Sequence, residues 1–233
     1  MAVNGLRKFS LIDYPGRICC VAFLGNCNFR YPFCHNPVLV FDAESQGTLS
    51  AEDLAAFFEQ RRGKLDAAVF SGGEPSLDPD LPHYARLAKN AGFQVKLDTN
   101  GSFPEVIRSL HADGLLDALG IDYKAPADKY ARLCGISNPA LPARVAESIS
   151  FAVKNGIELD VRTTVHRALL QEADLRKMYE ELSVLGVTQW TLQQFHRAEL
   201  IDESLNGIPT WPDSELKALA ASLGAMVRVR GVW

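Results

Sequence analysis

Short apolar runs alternate with stretches of helical period along this chain, and the changes of period predict its elements. Residues 3–10 and 17–24 read as strands. Between them Asp13-Tyr14-Pro15-Gly16 is a turn, because proline presets φ and glycine accepts positive φ. Together they predict an N-terminal hairpin. Residues 25–37 form a loop with two prolines and two cysteines. From Ser50 the period becomes helical: Ser50 suits an N-cap, Glu52 and Asp53 suit a first turn, and Leu54, Phe57 and Phe58 share one face. Residues 67–70 (Ala-Ala-Val-Phe) are a short buried strand. Helices over 81–91, 104–110, 142–155 and 173–185 then alternate with strands over 93–97, 118–121, 157–165 and 188–193, before a helix at 213–223 and a short strand at 226–229.

About six strand–helix repeats in this length predict an α/β protein, a partial (β/α)6 TIM-type barrel with an N-terminal β-hairpin extension. A doubly wound open sheet is the runner-up, since periodicity does not separate the two. No linker or repeat divides the chain, so residues 1–233 read as one domain: a hairpin arm (1–16), a barrel (17–200), and a C-terminal helix and short strand (201–233). In either fold function collects at the carboxyl ends of strands. Ser71-Gly72-Gly73-Glu74-Pro75, Asp98-Thr99-Asn100-Gly101, Asp122-Tyr123-Lys124, the stretch ending in His166 and the stretch ending in His196 all fall there.

Composition narrows the class. Hydrophobic residues make up 47% and charged residues 22%, ordinary for a globular domain. A net charge of -4 gives no basic excess for nucleic acid. No apolar run reaches the ~18 residues of a membrane span, and residues 1–10 do not resemble a targeting leader. The expectation is a cytoplasmic protein without nucleic-acid or membrane partners. Five cysteines, two of them adjacent, make a poor disulfide framework and point to metal binding or catalysis instead.

The loop Cys27-Asn28-Phe29-Arg30-Tyr31-Pro32-Phe33-Cys34-His35-Asn36-Pro37 would read C-x3-C-x2-C if residue 31 were cysteine. Three thiolates at that spacing hold an iron–sulfur cube and leave one iron open. This loop, with Ser10-Leu11-Ile12-Asp13-Tyr14-Pro15-Gly16 before it and Gly72-Gly73-Glu74-Pro75 after it, resembles the activating proteins of anaerobic ribonucleotide reductases and related glycyl-radical enzymes, within the radical S-adenosylmethionine (SAM) superfamily. The resemblance covers nearly the whole chain.

That resemblance implies a [4Fe–4S] cluster that binds and reductively cleaves SAM, releasing a 5′-deoxyadenosyl radical that takes a hydrogen atom from a partner's glycine. It implies Cys27 and Cys34 as cluster ligands, with Tyr31 at the third position. It implies Gly72, Gly73 and Glu74 at the methionyl amino group. Asp98, Thr99, Asn100, Asp122 and Lys124 would lie near the nucleoside, the methionyl carboxylate and, in some relatives, a monovalent cation. Phe33 would pack on adenine, and Arg162, His166 and His196 would line the pocket. The partner implied is a glycyl-radical enzyme, anaerobic ribonucleoside-triphosphate reductase above all, with flavodoxin or ferredoxin as external electron donor. Taken alone, the same residues have plainer readings: a Gly-Gly turn, an Asp-Thr-Asn-Gly cap, a surface ion pair, hydrogen-bonded histidines.

Tyr31 leaves three outcomes open: a change in an otherwise working site, a phenolate ligand, or a lost cluster site. Cys20 lies roughly 13 Å below the end of its strand, too far to substitute. The alternatives to an activating enzyme are another small radical-SAM enzyme of the carboxy-deazaguanine synthase type, and a catalytically silent barrel that binds SAM or a partner without a cluster.

Overall fold

The computed structural model describes residues 3–232. Eight strands follow one another in chain order in a single open sheet, β1 to β8. They are β1 (Val3–Ser10), β2 (Cys19–Leu24), β3 (Ala67–Gly72), β4 (Gln94–Thr99), β5 (Ala118–Asp122), β6 (Glu158–Val165), β7 (Trp190–Gln194) and β8 (Val227–Arg230). β1 is antiparallel to β2, while β2–β3–β4 and β6–β7–β8 are parallel. The order never doubles back, so there is no switch point of the doubly wound kind. This is the open, mostly parallel sheet of a partial barrel with an antiparallel arm. The chain forms two compact units, one of residues up to 28, 36–99 and 103–120, the other of residues 29–35, 100–102 and from 121 on.

In the first unit, the arm turns at Tyr14, whose carbonyl accepts the Arg17 N–H at 3.0 Å. Ile18 N–H donates to the Asp66 carboxylate at 2.8 Å. Residues 17 and 18 are thereby held by the turn and by a side chain, so β2 starts at Cys19 rather than at residue 17. Tyr14, Cys19, Val21, Ala67, Val69 and Ala118 form a buried cluster, with Phe23 packed against it. α1 (Pro37–Phe41) begins inside the predicted loop, since proline suits a first helical turn. α2 (Ala51–Arg61) has the expected cap: Ser50 and Asp53 make a reciprocal capping box. Its Phe58 meets Phe93 edge-on, with ring centroids 5.6 Å apart. α3 (Leu81–Asn90) and α4 (Pro104–Ala112) complete this unit.

The second unit holds α5 (Ala127–Cys134), α6 (Leu141–Lys154), α7 (Glu172–Val184) and α8 (Asp213–Leu223). The sequence reading leaves α5 as a loop around Cys134. Its eight residues bury only Tyr130, Leu133 and Cys134, too short a face for periodicity to register, and Gly135 closes it in the left-handed conformation. Trp190 is fully buried; its indole N–H donates to Thr163 Oγ1 at 2.9 Å, and that hydroxyl donates to the Tyr123 carbonyl at 2.6 Å.

Candidate functional site

At the end of β3 the first unit makes its tightest backbone approach. Gly72 has φ 125°, and a Cβ there would stand 2.3 Å from the Leu24 carbonyl oxygen. A Cβ on Gly73 would stand 1.9 Å from the Asn26 carbonyl oxygen. The turn is held by Gly73 N–H to Leu24 O at 2.9 Å and Glu74 N–H to Asn26 O at 2.7 Å. Sequence reasoning gives these glycines to a ligand's approach. The structure supplies a reason internal to the chain: they let the end of β3 lie against the segment that leads into Cys27. Glu74 is fully buried, and its Oε1 accepts from Ser76 N–H at 3.0 Å and from the Thr99 hydroxyl at 2.6 Å. Ser76 has no signal in the sequence beyond a turn residue. On β4 the Lys96 ammonium lies 2.8 Å from Asp98 Oδ1, an ion pair whose angle is not that of a hydrogen bond. Lys96 also escaped the sequence reading. Its signal is a lysine two residues before an aspartate on a buried strand, hence on the same face.

The second unit gathers another group. Tyr31 and Cys34 close a turn through Cys34 N–H to Tyr31 O at 3.2 Å, and Pro32 O accepts from Asp202 N–H at 2.9 Å. Asp122 ends β5. It receives Lys124 Nζ at 2.9 Å on one oxygen and Arg162 Nε at 3.2 Å on the other. Burial pushes its carboxyl up, but the two cations outweigh that and hold it at about 2. The Lys124 side chain is itself buried, and its ammonium lies 4.2 Å from the Tyr31 ring centroid and 5.7 Å from that of Phe33. The two rings sit 5.1 Å apart, tilted. Tyr31, Phe33, Asp122, Lys124 and Arg162 therefore come together.

Other candidates stand in plainer roles. Asn100 Oδ1 accepts from the Ser102 N–H at 2.9 Å and its hydroxyl at 2.6 Å, which is the turn cap the plain reading describes. His166 is buried; Nδ1 accepts from Ala168 N–H at 3.2 Å and the ring meets Phe195 edge-on at 4.7 Å. Its Nε2 faces the Leu205 and Ile208 carbonyls without a well-formed hydrogen bond, and burial lowers its pKa. His35 packs on the same Phe195 at 5.9 Å, and its pKa is lowered by burial and then by Lys124 and His196. His196 is exposed and lies against Gly231, where a Cβ would meet its Nε2 at 2.8 Å. Phe195, on which two histidines pack, was not singled out from sequence.

Cys27 and Cys34 are buried, and neither is in a disulfide. Among the described residues no three His, Cys, Asp or Glu side chains come together as a metal would require. Cys19 and Cys20 stay in their strand, their thiols directed to the Ser10 and Ala67 carbonyls. Of the three loop positions that the resemblance gives to a cube, two carry thiols and the third, Tyr31, a phenol whose ring lies under the Lys124 ammonium. The donor set does not fit the cube.

The sequence pattern of the radical SAM superfamily matches residues 21–182. A Methanocaldococcus jannaschii protein named as a glycyl-radical enzyme activating enzyme is 34% identical over 220 residues, 93% of this chain and 89% of its own. The pyruvate formate-lyase-activating enzyme of Clostridium pasteurianum is 30% identical over 133 residues, 52% of this chain and 53% of its own. Streptococcus suis SuiB bound to S-adenosylmethionine superposes with a TM-score of 0.68 at 11% identity, over 91% of this chain and 52% of that one, a likeness of fold. The chain thus spans about half the length of these last two proteins. With the family pattern matched over most of its length and a relative this similar along nearly all of it, the chain belongs to the radical SAM superfamily.

Proposed function

We propose that this chain is a SAM-binding protein of the glycyl-radical enzyme activating type, with anaerobic ribonucleoside-triphosphate reductase as its partner. The observation that carries the reading is the likeness along 93% of the chain to a protein named as such an activating enzyme. The arm motif Ser10–Gly16 and Cys34-His35-Asn36-Pro37 favour an activating protein over another small radical-SAM enzyme of the carboxy-deazaguanine synthase type. The chain acts as one domain, since the matched residues 21–182 draw on both compact units. Gly72, Gly73 and Glu74 take the methionyl amino group, and Lys124 with Arg162 takes a carboxylate. Phe33 offers a face for adenine. Asp98, Thr99, Asn100 and Asp122 are assigned to the nucleoside and carboxylate, and His166 and His196 to further contacts with SAM, by the resemblance.

Tyr31 favours a second statement: as it stands, the chain binds SAM and its partner but does not break SAM. The ring gives Lys124 a cation–π neighbour, worth on the order of 1 kcal/mol, and leaves the loop one thiolate short. An external flavodoxin or ferredoxin has a role only once that thiolate is restored.

The test is anaerobic reconstitution with iron and sulfide, with SAM binding read separately by calorimetry. The native chain should bind SAM and retain well under four irons. Tyr31→Cys should take up about four irons per chain, gain a broad visible absorption and form 5′-deoxyadenosine under reductant. Four irons and cleavage in the native chain would refute the donor-set argument. Absence of SAM binding in both forms would refute the SAM assignment, and a Tyr31→Cys form that leaves the reductase without a glycine-centred spin signal would refute the partner.

A further inference from the structure

Lys96 is a lysine inside a strand, and its surroundings give it a task. Its side chain is 2% exposed and that of Asp98 10%. The ammonium stands 2.8 Å from Asp98 Oδ1 and donates to the backbone carbonyl of Asp13 at 2.6 Å. The Tyr14 ring centroid is 5.9 Å away. The Asp13 carboxylate turns elsewhere, to the Ser10 hydroxyl at 2.5 Å and Arg7 at 3.1 Å. The arm therefore offers its carbonyl to Lys96, and Tyr14 fixes that turn by its burial in the core cluster. Taking an ammonium out of water is costly unless it is paired and hydrogen-bonded, and here it is both. A fixed positive charge at 2.8 Å from a carboxylate oxygen is also what a bound alkali-metal ion would bring to the same group. The other candidate carboxylate, Asp122, has its own cations in Lys124 and Arg162.

We propose that Lys96 is the built-in counter-cation of Asp98: it holds that carboxylate oriented and balances its charge, so that the site works without a free alkali-metal ion. The arm motif Ser10–Gly16 then acts on the site through the Asp13 carbonyl. The functional meaning rests on the reading of Asp98 as a SAM-site residue, whereas the ion requirement does not.

The experiment compares the native chain with Lys96→Met in potassium and in tetramethylammonium salt at equal ionic strength. SAM affinity is read by calorimetry, and thermal stability is read without SAM. In the native chain both should be unchanged by the swap. Lys96→Met should lose affinity roughly tenfold or more in tetramethylammonium, the size of a lost charge-assisted contact. It should recover part of that loss, and melt higher, in potassium. A native chain that needs potassium overturns the proposal, as does a Lys96→Met chain with native affinity and no ion response. Should Lys96→Met not fold, the double variant Lys96→Met/Asp98→Asn replaces it. That chain should fold and ignore the ion, and an ion-dependent double variant overturns the proposal. Failure of the SAM reading shows differently, as no SAM heat in the native chain, and the melting comparison still decides the role of Lys96.

Discussion

Gly73→Ala puts the packing of the β3 turn to a quantitative test. The added methyl would stand 1.9 Å from the Asn26 carbonyl oxygen, where nonbonded carbon and oxygen keep about 3.3 Å. The obstacle is backbone, so no side chain can swing aside. The turn must retreat by more than an ångström, and two hydrogen bonds go with it: Gly73 N–H to Leu24 O and Glu74 N–H to Asn26 O. Stranding such groups costs about 1–3 kcal/mol each. The sum, about 2–6 kcal/mol, lowers the melting temperature by on the order of 5–20 °C for a chain of this size. Glu74 moves with the turn, so its bond to Thr99 loosens and SAM affinity should fall as well. Gly207→Ala is the control, because a Cβ there meets nothing within 4 Å. Differential scanning calorimetry with SAM titration reads both effects. A Gly73→Ala protein that melts within about 2 °C of the control and binds SAM equally well would refute the reasoning.

Two further outcomes follow from the charges and thiols. The Asp122 carboxyl is held at about 2, below its unfolded value near 4. Its contribution to stability is therefore complete above about pH 4 and disappears as pH falls toward 2; the melting difference between native and Asp122→Asn should shrink over that window, and a difference constant from pH 5 to 2 contradicts the assignment. Cys20 has its thiol pushed up to about 12 by burial, then by Cys19 beside it, so it is almost wholly protonated at pH 8. Mass spectrometry after brief iodoacetamide treatment should find Cys20 unmodified in the native chain and alkylated once urea unfolds it; rapid labelling of Cys20 in the native chain contradicts its burial.

Much of the architecture was legible because it rests on local chemistry. The β3 and β5 strands carry apolar runs that a parallel sheet buries on both faces, and glycines stop α3, α6 and α7. The capping box at Ser50 lies within four residues. α5 was not legible, because a short helix with three buried residues has no period to display. The candidate residues were legible as motifs at strand ends, but their partners were not. Lys96 reads as one more charged residue until the Asp13 carbonyl, 83 positions away in sequence, is brought to its ammonium. Ser76 and Thr99 meet at Glu74 only because β3 and β4 are neighbours in register.

The sequence by itself determined the family, the parallel strand–helix order and the thiolate missing at Tyr31, since these depend on residue types and their spacing. Tertiary structure alone decided what those residues touch. The Gly72-Gly73 pair faces its own backbone, Lys96 stands between the arm and Asp98, and the Tyr31 ring lies under Lys124. Such contacts join positions far apart in the chain, and close approach and charge pairing depend on distances that spacing along a sequence does not contain.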